Sequence, residues 1–405
     1  MVEAGAIRHF YVILTSRCNL LCHYCFESKR RGGRMSWGTL RAALDLLIRV
    51  GEGDVSVVFY GGEPLLELPL LRRAVTYVCE SAPPGMRPRF ALSTNGLLLD
   101  DDVASFLARH GIDTQLSFDG VVAAQDLRGF GTFAVLDRLL DRLAAQQPRF
   151  FRDHLDLTLT LTAATLPRLA DSIDYFLQKG VARVSIAPAF TDQPDWKPER
   201  ITELEDQLDR TRLACLSHYR KTLKIPVELF RGKQIQARER PRTLTMCGVV
   251  RCQKLVVDVD GELYGCVTLA GSYQAPANPL LKDCMDKLRL GRLCAPDLPV
   301  RLTRFHEAAP SIRMLTDKQA KYSSYGRCDE CRHLTSCVVC PIAIGHTPEP
   351  SDPDRIPDFQ CAFQRTALAT RERFVAERER IDEARYGKLP EAIRRVLDFA
   401  EASRG

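Results

Sequence analysis

Three cysteines, Cys18, Cys22 and Cys25, spaced Cys-x3-Cys-x2-Cys directly after an apolar stretch, are the residues of this 405-residue chain best suited to chemistry. Thiolates hold iron–sulfur clusters, and three of them suit a four-iron cubane whose fourth iron stays open. An open iron can bind and reduce a small molecule instead of only passing an electron. Two other readings fit the same spacing: a zinc knuckle with His23 as fourth ligand, or loop thiols that hold no metal. Further along, Gly61-Gly62-Glu63-Pro64 closes the apolar run 55–59 and precedes a helical stretch from Leu65, which places it on a strand-to-helix loop. Its glycines let backbone groups approach a ligand without interference from Cβ, and Glu63 can accept from an ammonium group. Taken alone, that tetrapeptide is an ordinary turn.

The fifteen cysteines fall into groups. Beside the first three stand Cys247, Cys252 and Cys266, and then Cys328, Cys331, Cys337, Cys340 and Cys361. Cys79, Cys215, Cys284 and Cys294 are isolated and read as small hydrophobes. No signal-peptide h-region opens the chain and no apolar run approaches the roughly 20 residues that span a bilayer, so the expected compartment is the cytoplasm, with thiols kept reduced and available as ligands. A chain 45% hydrophobic can bury two or more cores. Its 57 Lys and Arg against 51 Asp and Glu give +6, too weak and diffuse to argue for nucleic acid but compatible with an acidic peptide partner.

Elements that must position these groups alternate in a β-α pattern from residue 9 to about 223. Strands are expected over 9–15, 54–60, 89–93, 113–118, 155–161 and 183–188, and helices follow, such as 65–81 and 166–179. Ser36 suits an N-cap for the first helix and Gly180 a stop for the fifth. Parallel β-α units gather ligand-binding loops at the carboxyl ends of their strands, where both motifs fall. Ser93-Thr94-Asn95-Gly96 and Ser117-Phe118-Asp119-Gly120 end at the same rim; each is also a turn signal. The expected class is α/β, with six units in place of the eight of a closed barrel.

After residue 223 the alternation stops. Residues 255–266 read as a hairpin around Asp260-Gly261 that returns Cys266 toward Cys247 and Cys252. The downstream spacing Cys328-x2-Cys331-x5-Cys337-x2-Cys340 also fits a structural zinc ribbon, which would leave the hairpin group and Cys361 without a purpose. Residues 281–316 read as an insertion, and 364–385 and 390–403 as charged helices with solvated faces.

The first cysteine loop, with the aromatic Tyr24 before its third Cys, resembles the radical S-adenosylmethionine superfamily, and Gly-Gly-Glu-Pro one strand later is a second match. The later cysteines resemble the SPASM extension of peptide-modifying radical enzymes, except that two residues rather than three separate Cys337 from Cys340. The resemblance implies a partial (β/α)6 TIM-like barrel over 1–225, a connector over 226–246, a small iron–sulfur SPASM domain over 247–365 and a C-terminal helical segment over 366–405. It implies S-adenosylmethionine held near Tyr24, Gly61, Gly62, Glu63 and Ser117, with Asn95 and Asp119 close by. It further implies three [4Fe-4S] clusters: one on Cys18, Cys22 and Cys25, one auxiliary cluster on Cys247, Cys252, Cys266 and Cys340, and another on Cys328, Cys331, Cys337 and Cys361.

Sulfatase-maturating enzymes, similar in cysteine layout, carry an Asp base directly after the hairpin Cys, where this chain has Val267, so formylglycine formation would need Asp258 or Asp119 as base. The favoured expectation is therefore maturation of a ribosomally made precursor peptide, with a crosslink as product. Expected partners are that peptide, an electron donor such as a flavodoxin or ferredoxin, and a separate leader-binding protein, since the chain opens only a few residues before its first strand. No nucleic acid and no membrane are expected. A small-molecule dehydrogenase, an iron–sulfur electron carrier and a peptide-binding scaffold are the competing readings.

Overall fold

The structure is a computed structural model that describes residues 7–27, 32–231, 253–273, 282, 289–298, 300–301, 320–337, 340, 352 and 354–387. Cys247, Cys252, Cys284, the helix expected over 390–403 and most of the expected insertion lie outside the described residues.

Six strands, β1 (Ile7–Thr15), β2 (Gly51–Gly61), β3 (Arg87–Thr94), β4 (Asp113–Ser117), β5 (Leu155–Leu161) and β6 (Val184–Pro188), pair in parallel, each with its sequence neighbour. Every expected strand is present within a few residues. The cause is visible in β5, whose Leu155, Leu157, Leu159 and Leu161 are all buried while Thr158 and Thr160 between them are half-buried. Alternation with period two sends one face to the core and leaves the polar face to the hollow of the sheet. Helices α1 (Trp37–Val50), α2 (Leu68–Ser81), α3 (Asp101–Arg109), α4 (Val122–Gln125), α5 (Phe133–Gln146), α6 (Pro148–Asp153), α7 (Leu169–Gln178), α8 (Ile201–Thr222) and α9 (Glu228–Arg231) connect or cover these strands. Stripes such as Leu40, Leu44 and Leu47 on α1 are fully buried, each contributing about 1.5–3 kcal/mol relative to exposure.

Ser36 caps α1 by accepting from Thr39 N at 3.0 Å. Gly180 follows the last αR residue of α7 with φ +71°, a left-handed stop that costs glycine nothing. The two helices read as 65–81 and 166–179 each open with a short 3₁₀ turn, Pro64–Glu67 and Leu166–Arg168, each with a proline at its first or second position.

The hairpin forms from β7 (Lys254–Val257) and β8 (Glu262–Tyr264), with Gly261 at φ +83°. Its placement was not legible: β7 lies parallel beside β1, and β8 and then β9 (Arg289–Arg292) continue the sheet. The hairpin assigned to the second domain thus extends the sheet of the first. A short pair, β10 (Tyr322–Ser323) and β11 (Gly326–Arg327), precedes α10 (Asp358–Tyr386), the last helix among the described residues.

The helix read as a solvated face over 364–385 starts earlier and buries one side. Phe359, Phe363 and Phe374 are inaccessible or nearly so; Phe374 stacks on Phe230 at 4.5 Å and Tyr219 on α8 donates to Asp382 at 2.7 Å. The buried stripe is sparse within a strongly charged sequence, which is why the pattern conceals it. Among the described residues no helix is long and apolar enough to cross a membrane.

Candidate active site and a cysteine-lined cavity

Beyond β1 the chain enters the loop that carries Cys18, Cys22 and Cys25, all half-buried and none in a disulfide. Donors already face the sulfur of Cys18: Leu20 N at 3.4 Å and Asn95 Nδ2 at 3.8 Å. Donors of this kind accompany metal-bound thiolates and tune them. Asn95 also donates to Asn19 Oδ1 at 2.7 Å, so the loop after β3 holds the cysteine loop from one side. The donor set suits an iron–sulfur cluster. Among the described residues no three His, Cys, Asp or Glu side chains converge on a single-ion centre; a cubane asks instead for thiolates around a cage.

Gly61 and Gly62 hold the loop by close approach. Gly62 N donates to Thr15 O and Glu63 N to Arg17 O, each at 2.9 Å. A Cβ on Gly61, whose φ is +144°, would stand 2.2 Å from Thr15 O. One on Gly62 would stand 2.3 Å from Arg17 O and 3.1 Å from the Cβ of Cys18. Gly62→Ala must therefore displace the segment leading into Cys18. We expect it to lower the iron bound per chain by up to one cluster, about four irons, while the far-ultraviolet circular dichroism stays that of the parent; unchanged iron content would refute this.

Glu63 is fully buried and accepts from Leu65 N at 3.0 Å, Thr94 Oγ1 at 2.7 Å and Asn95 N at 2.8 Å. It ties the ends of β2 and β3 together at the rim. Burial raises its pKa to about 6, against which the hydrogen bonds from Asn95, Thr94 and Leu65 act. A buried carboxylate of this kind gains from a nearby cation.

Of the remaining predicted positions, Ser117 ends β4, half-buried at the same rim. Tyr24 is buried and donates its hydroxyl to Asp119 Oδ2; burial keeps the phenol protonated, opposed by the Arg128 guanidinium and supported by the Asp119 charge and hydrogen bond. Asp119 is inaccessible, and both its oxygens are engaged, by Arg128 (2.8 and 3.3 Å), by Thr160 N (2.9 Å) and by Tyr24. Asp258 sits at the hairpin turn, where Oδ1 accepts from Val259 N at 2.7 Å and from Ser272 Oγ, and Oδ2 from Ser272 N at 2.9 Å; burial raises its pKa. Both carboxylates are thus held in structural hydrogen bonds, which is poor geometry for a base that must meet a substrate. Sequence reasoning missed Arg128, a lone arginine in a polar turn whose significance depends on Asp119 folding back to meet it.

Cys328, Cys331, Cys337 and Cys361 line one cavity with Leu334, Ile356 and Leu368. Cys361 arrives on the first turn of α10, whose docking beside β6 uses Phe359 against Trp196 at 5.2 Å and Gln360 donating to Ala189 O. Ser323 Oγ donates to Cys361 Sγ at 3.0 Å, and burial raises the thiol pKa. Cys340 does not line the cavity; it and Cys266 are half-buried against the main core, with Cys266 Sγ 3.3 Å from Thr268 Oγ1. Their proposed partners Cys247 and Cys252 lie outside the described residues.

Residues 12–122 match the family model described as the Radical SAM superfamily. An uncharacterized protein of Methanocaldococcus jannaschii is 26% identical over 267 residues, covering 65% of this chain and 86% of the relative. A serine-type anaerobic sulfatase-maturating enzyme of Klebsiella aerogenes is 26% identical over 62% of this chain and 64% of its own length. A cysteine-type one of Clostridium perfringens is 26% identical over 41% and 47%. Among solved structures, native anSMEcpe with bound AdoMet superposes with TM-score 0.70 at 20% identity, covering 92% of this chain and 99% of that one. Streptococcus suis SuiB bound to its precursor peptide SuiA gives 0.55 at 15% identity over 88% of this chain and 76% of that one. At these identities the two structures establish the fold, a partial TIM-like barrel with C-terminal helices.

Proposed function

For a chain that carries a radical S-adenosylmethionine domain, and is therefore an enzyme, we propose maturation of a ribosomally made precursor peptide: hydrogen is abstracted from a side chain and the resulting radical is oxidised to a crosslink. The observation that carries this reading is the second thiol group, Cys328, Cys331, Cys337 and Cys361 around one cavity on a helix docked beside the barrel. Hydrogen abstraction leaves an odd electron on the substrate, and a closed-shell product requires a place for that electron to go. Four thiols suit a closed cubane, which would supply one-electron oxidation.

Cys18, Cys22 and Cys25 would hold the cluster with the open iron, with S-adenosylmethionine near Tyr24, Gly61, Gly62, Glu63 and Ser117. When bound, that pair supplies a 5′-deoxyadenosyl radical. The chain's own task is to bind, orient and exclude water. Glu63 keeps its buried carboxylate at the rim as a counter-charge to an ammonium group, and the polar face of exposed Gln115 and half-buried Ser117, Thr158 and Thr160 offers hydroxyls and an amide to a polar substrate. A further auxiliary cluster would take Cys247, Cys252, Cys266 and Cys340, giving three in all. An external electron donor, a flavodoxin or ferredoxin, and a separate leader-binding protein complete the proposal.

A second reading, oxidation of a Cys or Ser to formylglycine, draws on the Klebsiella and Clostridium relatives. Against it stand Val267, which cannot accept a proton, and the engaged oxygens of Asp119 and Asp258. Anaerobically reconstituted protein given dithionite, S-adenosylmethionine and a precursor peptide encoded beside its gene should release 5′-deoxyadenosine and yield peptide lighter by two hydrogens, with no aldehyde trapped by a hydrazide. A trapped aldehyde would move the assignment to formylglycine formation. Absence of 5′-deoxyadenosine from fully iron-loaded protein would leave an electron carrier.

A further inference from the structure

The segment after β4 folds back over the cysteine loop. His23 N donates to Leu127 O at 3.0 Å, and a Cβ added to Gly129 would stand 2.6 Å from Leu20 Cδ2. Between these contacts lies a buried polar set. The Arg128 guanidinium, 8% exposed, donates to both oxygens of the inaccessible Asp119 and, at 3.1 Å, to Thr160 Oγ1. Its carbon sits 5.4 Å from the centroid of the Tyr24 ring, while the Tyr24 hydroxyl donates to Asp119. Gln125 fixes the carboxylate's own backbone by accepting from Asp119 N at 2.9 Å, and is itself held through Nε2 by Thr132 Oγ1 at 2.9 Å.

An ion pair taken out of water gains little net stability over apolar packing of equal volume, so stability alone does not account for it. Direction does: the pair presents one acceptor at one place, and the group it meets is the side chain between Cys22 and Cys25. From this geometry we infer that Asp119 and Arg128 form a buried clamp that positions Tyr24, and with it the Cys22–Cys25 turn, for the iron–sulfur centre. Both act as positioning residues, through Tyr24. The inference rests on the reading of Cys18, Cys22 and Cys25 as cluster ligands.

Removing one charge alone would strand the other in the interior, so the informative variants are Tyr24→Phe, which deletes only the hydroxyl, and the double replacement Asp119→Asn with Arg128→Met. The measurement is the electron paramagnetic resonance signal of the dithionite-reduced protein that changes on adding S-adenosylmethionine, followed against time with an iron chelator. Both variants should unfold at the parental temperature yet lose that signal up to about 10-fold more readily, the lower end of the effect of removing a direct outer partner of a metal ligand, since the clamp acts one residue further out. If a folded double variant and Tyr24→Phe both keep the parental signal and chelator resistance, the clamp does not position the centre. Should the double variant fail to fold, Tyr24→Phe decides, since it leaves the ion pair whole. A Cys18→Ala protein that retains the responsive signal would instead overturn the ligand reading itself.

Discussion

Replacing Cys18, Cys22 and Cys25 together by Ala should remove about four irons per chain, from about twelve to about eight in reconstituted protein, and bring cleavage of S-adenosylmethionine to background. The loss should be confined to this site, because bonds other than those to its thiols also hold the loop. Backbone bonds from Gly62 N to Thr15 O and from His23 N to Leu127 O hold it, and buried Tyr24 anchors its centre. Circular dichroism and the thermal midpoint should therefore stay near parental values while iron and cleavage fall. Iron assay and 5′-deoxyadenosine chromatography read the two effects separately. A triple variant with parental iron would mean that these thiols hold no cluster, and one that still cleaved would place the reactive iron elsewhere. Iron near four in the parent, with one zinc per chain, would remove the auxiliary clusters from the proposal.

The barrel was legible because each strand carries its own period. Leu155, Leu157, Leu159 and Leu161 announce a strand without reference to anything distant, and Ser36 and Gly180 announce ends by the hydrogen bond or dihedral that a helix terminus needs. Relations between distant segments were not legible. β7 reads as half of a hairpin, and nothing in Lys254–Val257 states that its outer edge pairs with β1. Asp119 and Asp258 show the same limit. As letters they are carboxylates near predicted turns, open to a base role; in the fold one is consumed by Arg128 and Tyr24 and the other by Ser272. Glycine spacing marked Gly61 and Gly62 for approach to a ligand, and the nearest atoms they admit belong to Thr15, Arg17 and Cys18. Their small size lets the cysteine loop sit on the end of β2.

Cys361→Ala is the variant that separates the two halves of the proposed reaction. Release of 5′-deoxyadenosine should stay measurable, because the loop at Cys18 lies elsewhere, yet the crosslinked peptide should disappear. Cys361 is the informative ligand for a topological reason: it comes from α10, whereas Cys328, Cys331 and Cys337 come from one short stretch. A zinc ribbon on Cys328, Cys331, Cys337 and Cys340 would survive its loss; a cubane using Cys361 would lose one of four thiolates. Metal binding and folding are coupled, so the variant could lose product merely by unfolding. The packing of α10 answers that concern: Phe359, Phe363 and Phe374 bury the helix against the barrel, and the first-turn bond from Cys361 N to Pro357 O needs no side chain. Replacing the thiol leaves Ser323 Oγ without its sulfur acceptor, a cost of about 1–3 kcal/mol where no water reaches it, set against the hydrophobic burial of Phe359, Ala362, Phe363, Leu368 and Phe374. Circular dichroism alongside the assay completes the test. A folded Cys361→Ala protein that still crosslinks its peptide at the parental rate would refute both the ligand role and the oxidation step assigned to that cavity.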